Sequence, residues 1–309
     1  METREKIVII GGGFAGLQLA KALNKKRKKV IVIDKVNHHM FQPLFYQVAC
    51  GRIEPSNISF PFRKIFQRSR NIQFRMVEVQ KILPEQNKII TEDAEFTYDK
   101  LIIATGCKTN FFGNSKMQGL TYGMKNTQEA IAIRNNILLT FEKLIIEKRR
   151  SDDGNWNIVI VGSGPTGVEL AGAFAEMKKD ILPRDYPNMN FNDLQIILIS
   201  STEKPLNVMS KEAQEKSELY LKELGVHFMS GEFVTDYDGD QVTMKSGKTI
   251  KSNNVIWAAG VTGNVIEGLN PEIIVRNRYK TDRFNRVQGY KNIFAIGDIA
   301  YMETPKYPE

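Results

Sequence analysis

The hydrophobic positions of this chain fall into short, nearly unbroken blocks. Ile7-Val8-Ile9-Ile10, Val30 to Ile33, Ile158-Val159-Ile160-Val161 and Leu194 to Ile199 each span four to six residues between polar or glycine-rich flanks. Blocks of that length predict strands buried on both faces, as in a parallel sheet. Three more blocks stop at small residues: Leu101 to Ala104 before Thr105-Gly106, Val255 to Ala258 before Ala259-Gly260, and Ile293 to Ile296 before Gly297-Asp298. Strands ending this way resemble the carboxyl edge of an open α/β sheet, where backbone meets ligand. Helical patterning follows Gly16 to about Asn24, follows Gly167 through Ala175, and fills most of 113–155. Asp180 to Asp193, with two prolines, predicts a loop, and Ser151-Asp152-Asp153-Gly154 a polar turn.

Between strand and helix the chain carries Gly11-Gly12-Gly13-Phe14-Ala15-Gly16, and the same grammar returns as Gly162-Ser163-Gly164-Pro165-Thr166-Gly167. Glycines at this spacing let backbone approach a pyrophosphate, and the N–H groups and dipole of the helix start favour its charge. A ligand-free tight turn would use the same glycines. The first copy, however, also has an acid at the end of the next strand, Asp34, 18 residues after Gly16. That completes a dinucleotide-binding βαβ unit in which Asp34 accepts hydrogen bonds from an adenosine ribose. In the second copy the strand runs into Ser200-Ser201-Thr202. The ribose carboxylate is missing, and neutral Ser200 with Lys204 nearby would tolerate a 2′-phosphate, so NADPH stands beside NADH as a candidate.

Composition narrows the reading only modestly. The 309 residues suit two domains and are 42% hydrophobic and 25% charged, an ordinary globular balance. A net charge of +8 favours anionic partners. Part of the surplus is the run Lys25-Lys26-Arg27-Lys28-Lys29, which reads first as a solvated helix end and turn, and second as a membrane-facing patch. Cys50 and Cys107 lie outside any CxxC spacing and read as buried fillers, which disfavours disulfide chemistry and fits a reducing compartment. His38, His39 and His227 lack metal-ligand spacing, so no metal is expected. No apolar stretch is long enough for a signal peptide or a spanning helix.

Taken in order, Gly11 to Gly16, Phe41-Gln42-Pro43-Leu44-Phe45-Tyr46-Gln47-Val48-Ala49, Ala104-Thr105-Gly106, Gly164 to Gly172, Asp185-Tyr186-Pro187, Trp257-Ala258-Ala259-Gly260-Val261 and Ile293 to Asp298 resemble the type II NADH:quinone oxidoreductases, within the two-dinucleotide-binding flavoproteins. The resemblance covers essentially the whole chain. It implies an α/β fold of two Rossmann-like domains of the glutathione-reductase type, the second inserted into the first. Residues 1–113 and 265–309 would hold FAD, and 114–264 NADH or NADPH.

For FAD, the resemblance implies contacts from Gly11, Gly13, Phe14, Ala15 and Gly16, and from Asp34 with Lys35 beside it. Gln42 to Tyr46, with Gln42 and Pro43 foremost, would line one flavin face, an aromatic run that core packing would also explain. Val79 would serve adenine, Ala104, Thr105 and Gly106 the pyrophosphate, and Gly297 and Asp298 the ribityl chain; Asp298 equally suits a helix N-cap. The nicotinamide nucleotide would meet Gly162, Gly164, Pro165, Thr166, Gly167, Ser200, Ala259 and Gly260. Glu169 either sits beside the stacked rings as the one catalytic candidate or merely answers the helix dipole in the first turn.

The implied reaction is hydride transfer from NAD(P)H to FAD, then electron transfer to a quinone, without proton pumping or a protein nucleophile. Reduction of a small redox protein and non-catalytic FAD or NAD(P)H binding are the rival readings. Nucleic acid is not an expected partner, a homodimer is compatible, and the expected location is cytoplasmic or on the cytoplasmic face of the inner membrane. After Asp298 only eleven residues remain, including Pro305 and Pro308, whereas the family continues into a flavin-contacting helix and a membrane-anchoring region. The expectation is therefore a truncated chain with an incomplete quinone half-site, a weaker hold on FAD and a preference for soluble dyes.

Overall fold

A computed structural model describes residues 4–147 and 154–304. The predicted turn at Ser151-Asp152-Asp153, and Pro305 and Pro308, lie outside the described residues. Nine strands build two parallel sheets: β1 (Lys6–Ile10), β2 (Lys29–Asp34), β3 (Ile72–Met76), β4 (Lys100–Ile103), β5 (Ile158–Val161), β6 (Ile196–Ile199), β7 (His227–Met229), β8 (Asn254–Trp257) and β9 (Ile293–Ala295). The helices used below are α1 (Phe14–Ala22), α2 (Phe45–Ala49), α3 (Phe62–Phe66), α4 (Thr127–Glu147), α5 (Pro165–Glu176) and α6 (Lys211–Glu223).

The chain divides into two compact units, the first drawn from 1–40, 59–108 and 261–309 and the second from 41–58 and 109–260. In the first, the strand order is β9-β4-β1-β2-β3. Its β-strand alternation sends Val8, Ile10, Ile31, Ile33, Leu101 and Ile103 to one face, against Ile82, Ile89 and Tyr279. Ile7, Ile9, Val30, Val32 and Ile102 go to the other, against Leu17 and Ala20 of α1 and Phe62 of α3. Both faces are covered, which is why these strands are continuous apolar runs. Each fully buried Val or Ile contributes about 1.5–3 kcal/mol over its exposed state.

The second unit repeats the plan. Its sheet has the order β7-β6-β5-β8. Val159, Val161, Ile197, Ile199, Val255 and Trp257 pack on Met117, Tyr237, Val242 and Met244. Between the third and fourth strands of each unit lies a three-stranded antiparallel sheet: Val79–Leu83, Lys88–Thr91 and Glu95–Thr97 in the first, Val234–Tyr237, Gln241–Met244 and Thr249–Lys251 in the second. The internal duplication therefore extends well beyond the glycine turns. The long helix α4 is fastened to its sheet by Asn136, whose amide donates to Asn254 Oδ1 and to the Asn253 carbonyl, both at 2.9 Å.

Two segments differ from expectation. Residues 41–58, assigned by resemblance to the FAD-binding part, group with the second unit, because α2 packs on α4 and α5. Arg52 reinforces this by pairing with Glu176 at 3.0 Å. The unit borders fall at 108/109 and 260/261, a few residues from 113 and 265. Asp180 to Asp193 is also less of a loop than predicted. A π-turn over Met177–Ile181 continues α5 into a last helical turn, Leu182–Asp185. Pro183 stands in the opening positions of that turn, where a missing N–H costs nothing.

Two candidate nucleotide cradles

In each sheet the chain goes outward from the first strand on one side and returns to it on the other, so a crevice opens at the carboxyl ends of the first and fourth strands. In the first unit that point is Gly11 against Ala104. Gly11 donates its N–H to the Ile33 carbonyl at 2.8 Å, and Ala104 donates to Ile10 at 2.7 Å. Gly11 has φ +100°, and a Cβ there would fall onto the Ala104 carbonyl oxygen; one on Gly16 would fall onto Gly11's own carbonyl oxygen. Gly13 differs, since a Cβ there meets nothing. Two glycines are thus required by packing, and the third leaves open space at the start of α1. That helix start has no side-chain cap and no acid in its first turn. Its N–H groups and dipole suit a phosphate.

Asp34 closes the cradle from β2. Its Oδ2 accepts the Gly12 N–H at 2.6 Å and its Oδ1 the Val36 N–H at 3.0 Å. Burial raises its pKa, and these two bonds only partly oppose the shift. Lys35 is exposed and turns to Glu78 at 3.3 Å. Val79 is half-buried at the head of the antiparallel sheet, opposite Thr91. Thr105 spends its hydroxyl on the Asn264 carbonyl at 2.7 Å, while Asn264 returns an amide hydrogen to the Thr105 carbonyl at 3.0 Å. Its side chain thus braces the loop; the Gly106 carbonyl also accepts the Asn264 N–H at 3.0 Å, so it is the N–H groups of Thr105 and Gly106 that are left for a ligand. Gly297, at φ +73°, brings its backbone over Ala15, with an added Cβ 3.1 Å from that methyl group. Asp298 is exposed beside it and accepts a hydrogen bond from the Cys107 thiol at 3.0 Å. Cys107 is therefore half-buried and engaged, not the buried filler expected; Cys50 is buried, and burial pushes its thiol pKa up.

Two supporting residues escaped the sequence reading. His39, given no role, is buried and shares a 3.0 Å hydrogen bond with the Gly12 carbonyl, its ring edge-on to Phe14 at 5.1 Å. Phe62 lies where a Cβ on Gly12 would strike its ring. A histidine pattern carries no signal for such a brace, because its partner is 27 residues away.

The second cradle repeats the backbone bonds at the strand ends and helix start of the first. Gly162 donates to Ile199 at 2.8 Å, Ala258 to Val161 at 2.8 Å, and Val168 to Gly164 at 3.0 Å, as Leu17 does to Gly13 at 2.9 Å. Gly162 has φ +108°, Gly167 abuts the Gly162 carbonyl, and Gly164 again faces open space. The start of α5, with Pro165 in its first positions, then Thr166, lacks a side-chain cap. Ala259 and Gly260 line the opposite strand end as Thr105 and Gly106 do. Where the first cradle has Asp34, this one has buried Ser200, whose hydroxyl contacts Ser163 Oγ at 2.6 Å and Thr202 Oγ1 at 2.9 Å. Lys204 pairs with Glu218.

Glu169 lies one position past the first turn of α5, which contains no acid, so the dipole reading loses its basis. Partial desolvation raises its pKa. The Tyr46 hydroxyl is raised too, first by burial and then by the negative charge of Glu169. The two groups therefore lie near enough within the second unit for the charge of one to act on the other. Gln42 and Pro43 are exposed in a 3-10 turn, Gln42–Leu44, of that unit. Among the described residues no cluster of His, Cys, Asp or Glu could hold a metal, and no helix is long and apolar enough to cross a membrane.

Two such cradles, each at the switch point of its own parallel sheet, define a two-dinucleotide-binding oxidoreductase fold, and open space over Gly13 and Gly164 fits a diphosphate in each. The chain belongs to the pyridine nucleotide-disulphide oxidoreductase family, whose model matches residues 5–308, among its type II NADH:quinone oxidoreductases. It is 33% identical to the type II NADH:quinone oxidoreductase Ndh of Mycobacterium tuberculosis, an alignment covering 97% of this chain and 68% of that protein. It is 29% identical to the external alternative NAD(P)H-ubiquinone oxidoreductase B3 of Arabidopsis thaliana, covering 99% of this chain and 56% of that one. The NDH2 structure from Plasmodium falciparum in complex with NADH shares the fold with a TM-score of 0.90 at 24% identity, covering 97% of this chain and 65% of that one. The chain thus spans between 56% and 68% of the length of these proteins.

Proposed function

We propose that this chain is an FAD-dependent NADH:quinone oxidoreductase, with FAD held by the first unit and NADH by the second. When bound, these cofactors supply the redox chemistry, hydride passing from nicotinamide to flavin and two electrons then to a quinone. The observation that carries the reading is the repetition of the cradle's backbone bonds with a carboxylate in one copy and a hydroxyl in the other. One machine for gripping a diphosphate has been kept twice while its ribose contact has diverged.

The chain's own residues bind and orient. Asp34 presents a carboxylate to one ribose, Gly13 and Gly164 admit the diphosphates, and the uncapped starts of α1 and α5 balance their charge. Gly297 and Asp298 offer backbone and carboxylate to the FAD side, as do Ala104, Thr105 and Gly106. Glu169, its pKa raised by partial desolvation, keeps its proton to a higher pH than an ordinary carboxyl does. Ser200, Ala259 and Gly260 meet the nicotinamide nucleotide, and a neutral Ser200 leaves NADPH admissible. A quinone acceptor is lipid-soluble, so peripheral contact with a membrane belongs to the same proposal.

Anaerobic addition of NADH to the flavin-loaded protein tests it. Bleaching of the flavin band with stoichiometric NAD release is expected, and reoxidation by a soluble quinone should then outpace reoxidation by a ferredoxin. A band that stays yellow overturns the proposal in favour of a non-catalytic nucleotide-binding module.

A further inference from the structure

The amino ends of β1, β2 and β3, the edge opposite the first cradle, gather positive charge. Arg4 precedes β1, Lys25, Lys26 and Arg27 form the turn before β2, and Arg68 and Arg70 precede β3. These six exposed cations and Asn71 line one concavity of about 590 Å3, and no acid is among its described lining residues. The whole protein carries a net charge of +8, and six of its 43 Lys and Arg residues line this concavity.

The turn that carries half of these charges is built rather than loose. The Asn71 side-chain amide donates to the carbonyls of Leu23 at 2.9 Å and of Lys26 and Lys28 at 3.3 Å, and its oxygen accepts the Lys25 N–H at 3.1 Å. Lys25 is held at φ +62°, a left-handed conformation costly for a side-chain-bearing residue. The nearby acid Glu5 is committed to Lys28 and Lys100, which lowers its pKa and leaves it to a separate network. A solvated charge run needs no such knot, and mutual repulsion among its charges would favour spreading it.

We propose that this edge is a binding site for phosphate-bearing anions, distinct from both nucleotide cradles. The volume exceeds what one small ion fills and suits several phosphate groups, which long Lys and Arg side chains can engage together. The source is either the headgroups of acidic phospholipids or a free oligophosphate. The site stands whether or not the redox reading above holds.

The test uses the purified full chain, with FAD and NADH added in excess to fill both cradles where they bind, and two probes at low salt: tripolyphosphate followed by calorimetry, and sedimentation with phosphatidylglycerol vesicles, phosphatidylcholine vesicles serving as the neutral reference. Binding of at least one anionic probe is expected, weakened about tenfold or more in the Arg68→Glu/Arg70→Glu and Lys25→Glu/Lys26→Glu variants. A Lys245→Glu/Lys251→Glu variant, equal in charge change but placed on exposed positions of the second unit, should bind as the parent does. Asn71→Ala, which keeps every charge but loosens the turn, should weaken binding about threefold. Tripolyphosphate binding identifies a free oligophosphate site, and binding to anionic vesicles alone identifies a headgroup site. Absence of binding to both probes, or equal weakening by the edge and the control variants, overturns the proposal.

Discussion

Asp34 and Ser200 occupy one and the same position in two copies of a cradle: each directly follows the residue, Ile33 or Ile199, whose carbonyl accepts the first glycine's N–H at 2.8 Å. Asp34 brings a charge to that position and Ser200 brings none. A carboxylate at Ser200 would accept bonds from a free ribose 2′-hydroxyl and repel a 2′-phosphate. Ser200→Glu is therefore expected to raise the preference for NADH over NADPH by about tenfold or more, about 1.4 kcal/mol, in the ratio of nucleotide dissociation constants. An unchanged ratio would remove Ser200 from nucleotide choice.

The glycines of the first turn should separate folding from binding. Gly11→Ala combines a φ of +100° with a collision against the Ala104 carbonyl and should cost about 3 kcal/mol or more in unfolding free energy. Gly13→Ala meets nothing in the protein. It should leave the apoprotein's thermal midpoint within a degree or two while weakening flavin binding by about tenfold or more. Equal thermal losses for both variants would contradict this division.

Glu169 gives a pH prediction. Its folded pKa lies above the ordinary carboxylate value, so its protonation should shape the acid side of the NADH-oxidation profile. Glu169→Gln should flatten that limb. Because the Glu169 charge also holds Tyr46 up, the same change should lower the Tyr46 pKa in an ultraviolet titration.

Tyr279 provides a stability prediction in the first unit. Its buried hydroxyl donates to the Ile266 carbonyl and accepts the Ile266 N–H, both at 2.8 Å, and burial lifts its pKa to about 12. Since the folded value lies above the unfolded one near 10, its contribution is fully present below pH 10 and lost as pH rises towards 12. Tyr279→Phe should cost about 2 kcal/mol at neutral pH and reduce the alkaline loss of stability, measured by denaturant titration.

Much of this was legible beforehand because the relevant signals are local. A strand, a glycine turn and a helix lie within twenty residues, so Gly11, Gly13, Asp34 and their counterparts around Gly164 could be named directly. The features that escaped depend on distant partners. The grouping of 41–58 is decided by α2 packing against α4 and α5, some 80 to 130 residues later. His39 and Asn264 act through backbone carbonyls, which leave no trace in side-chain type. The antiparallel sheets consist of strands of three to five residues, too short for a period of two to stand out. Glu169 was identified, but its distance from the first turn needed the observed helix start.

The wide turn at Met177–Ile181 amounts to one extra residue threaded into a helix. An α-helix rotates about 100° per residue, so deleting a single position there would swing everything downstream by more than a quarter circle. Tyr186, whose hydroxyl reaches Glu142 at 3.0 Å, would then point away from its acceptor. The bulge works as a phase adjuster, setting the azimuth at which the helix delivers its final side chains.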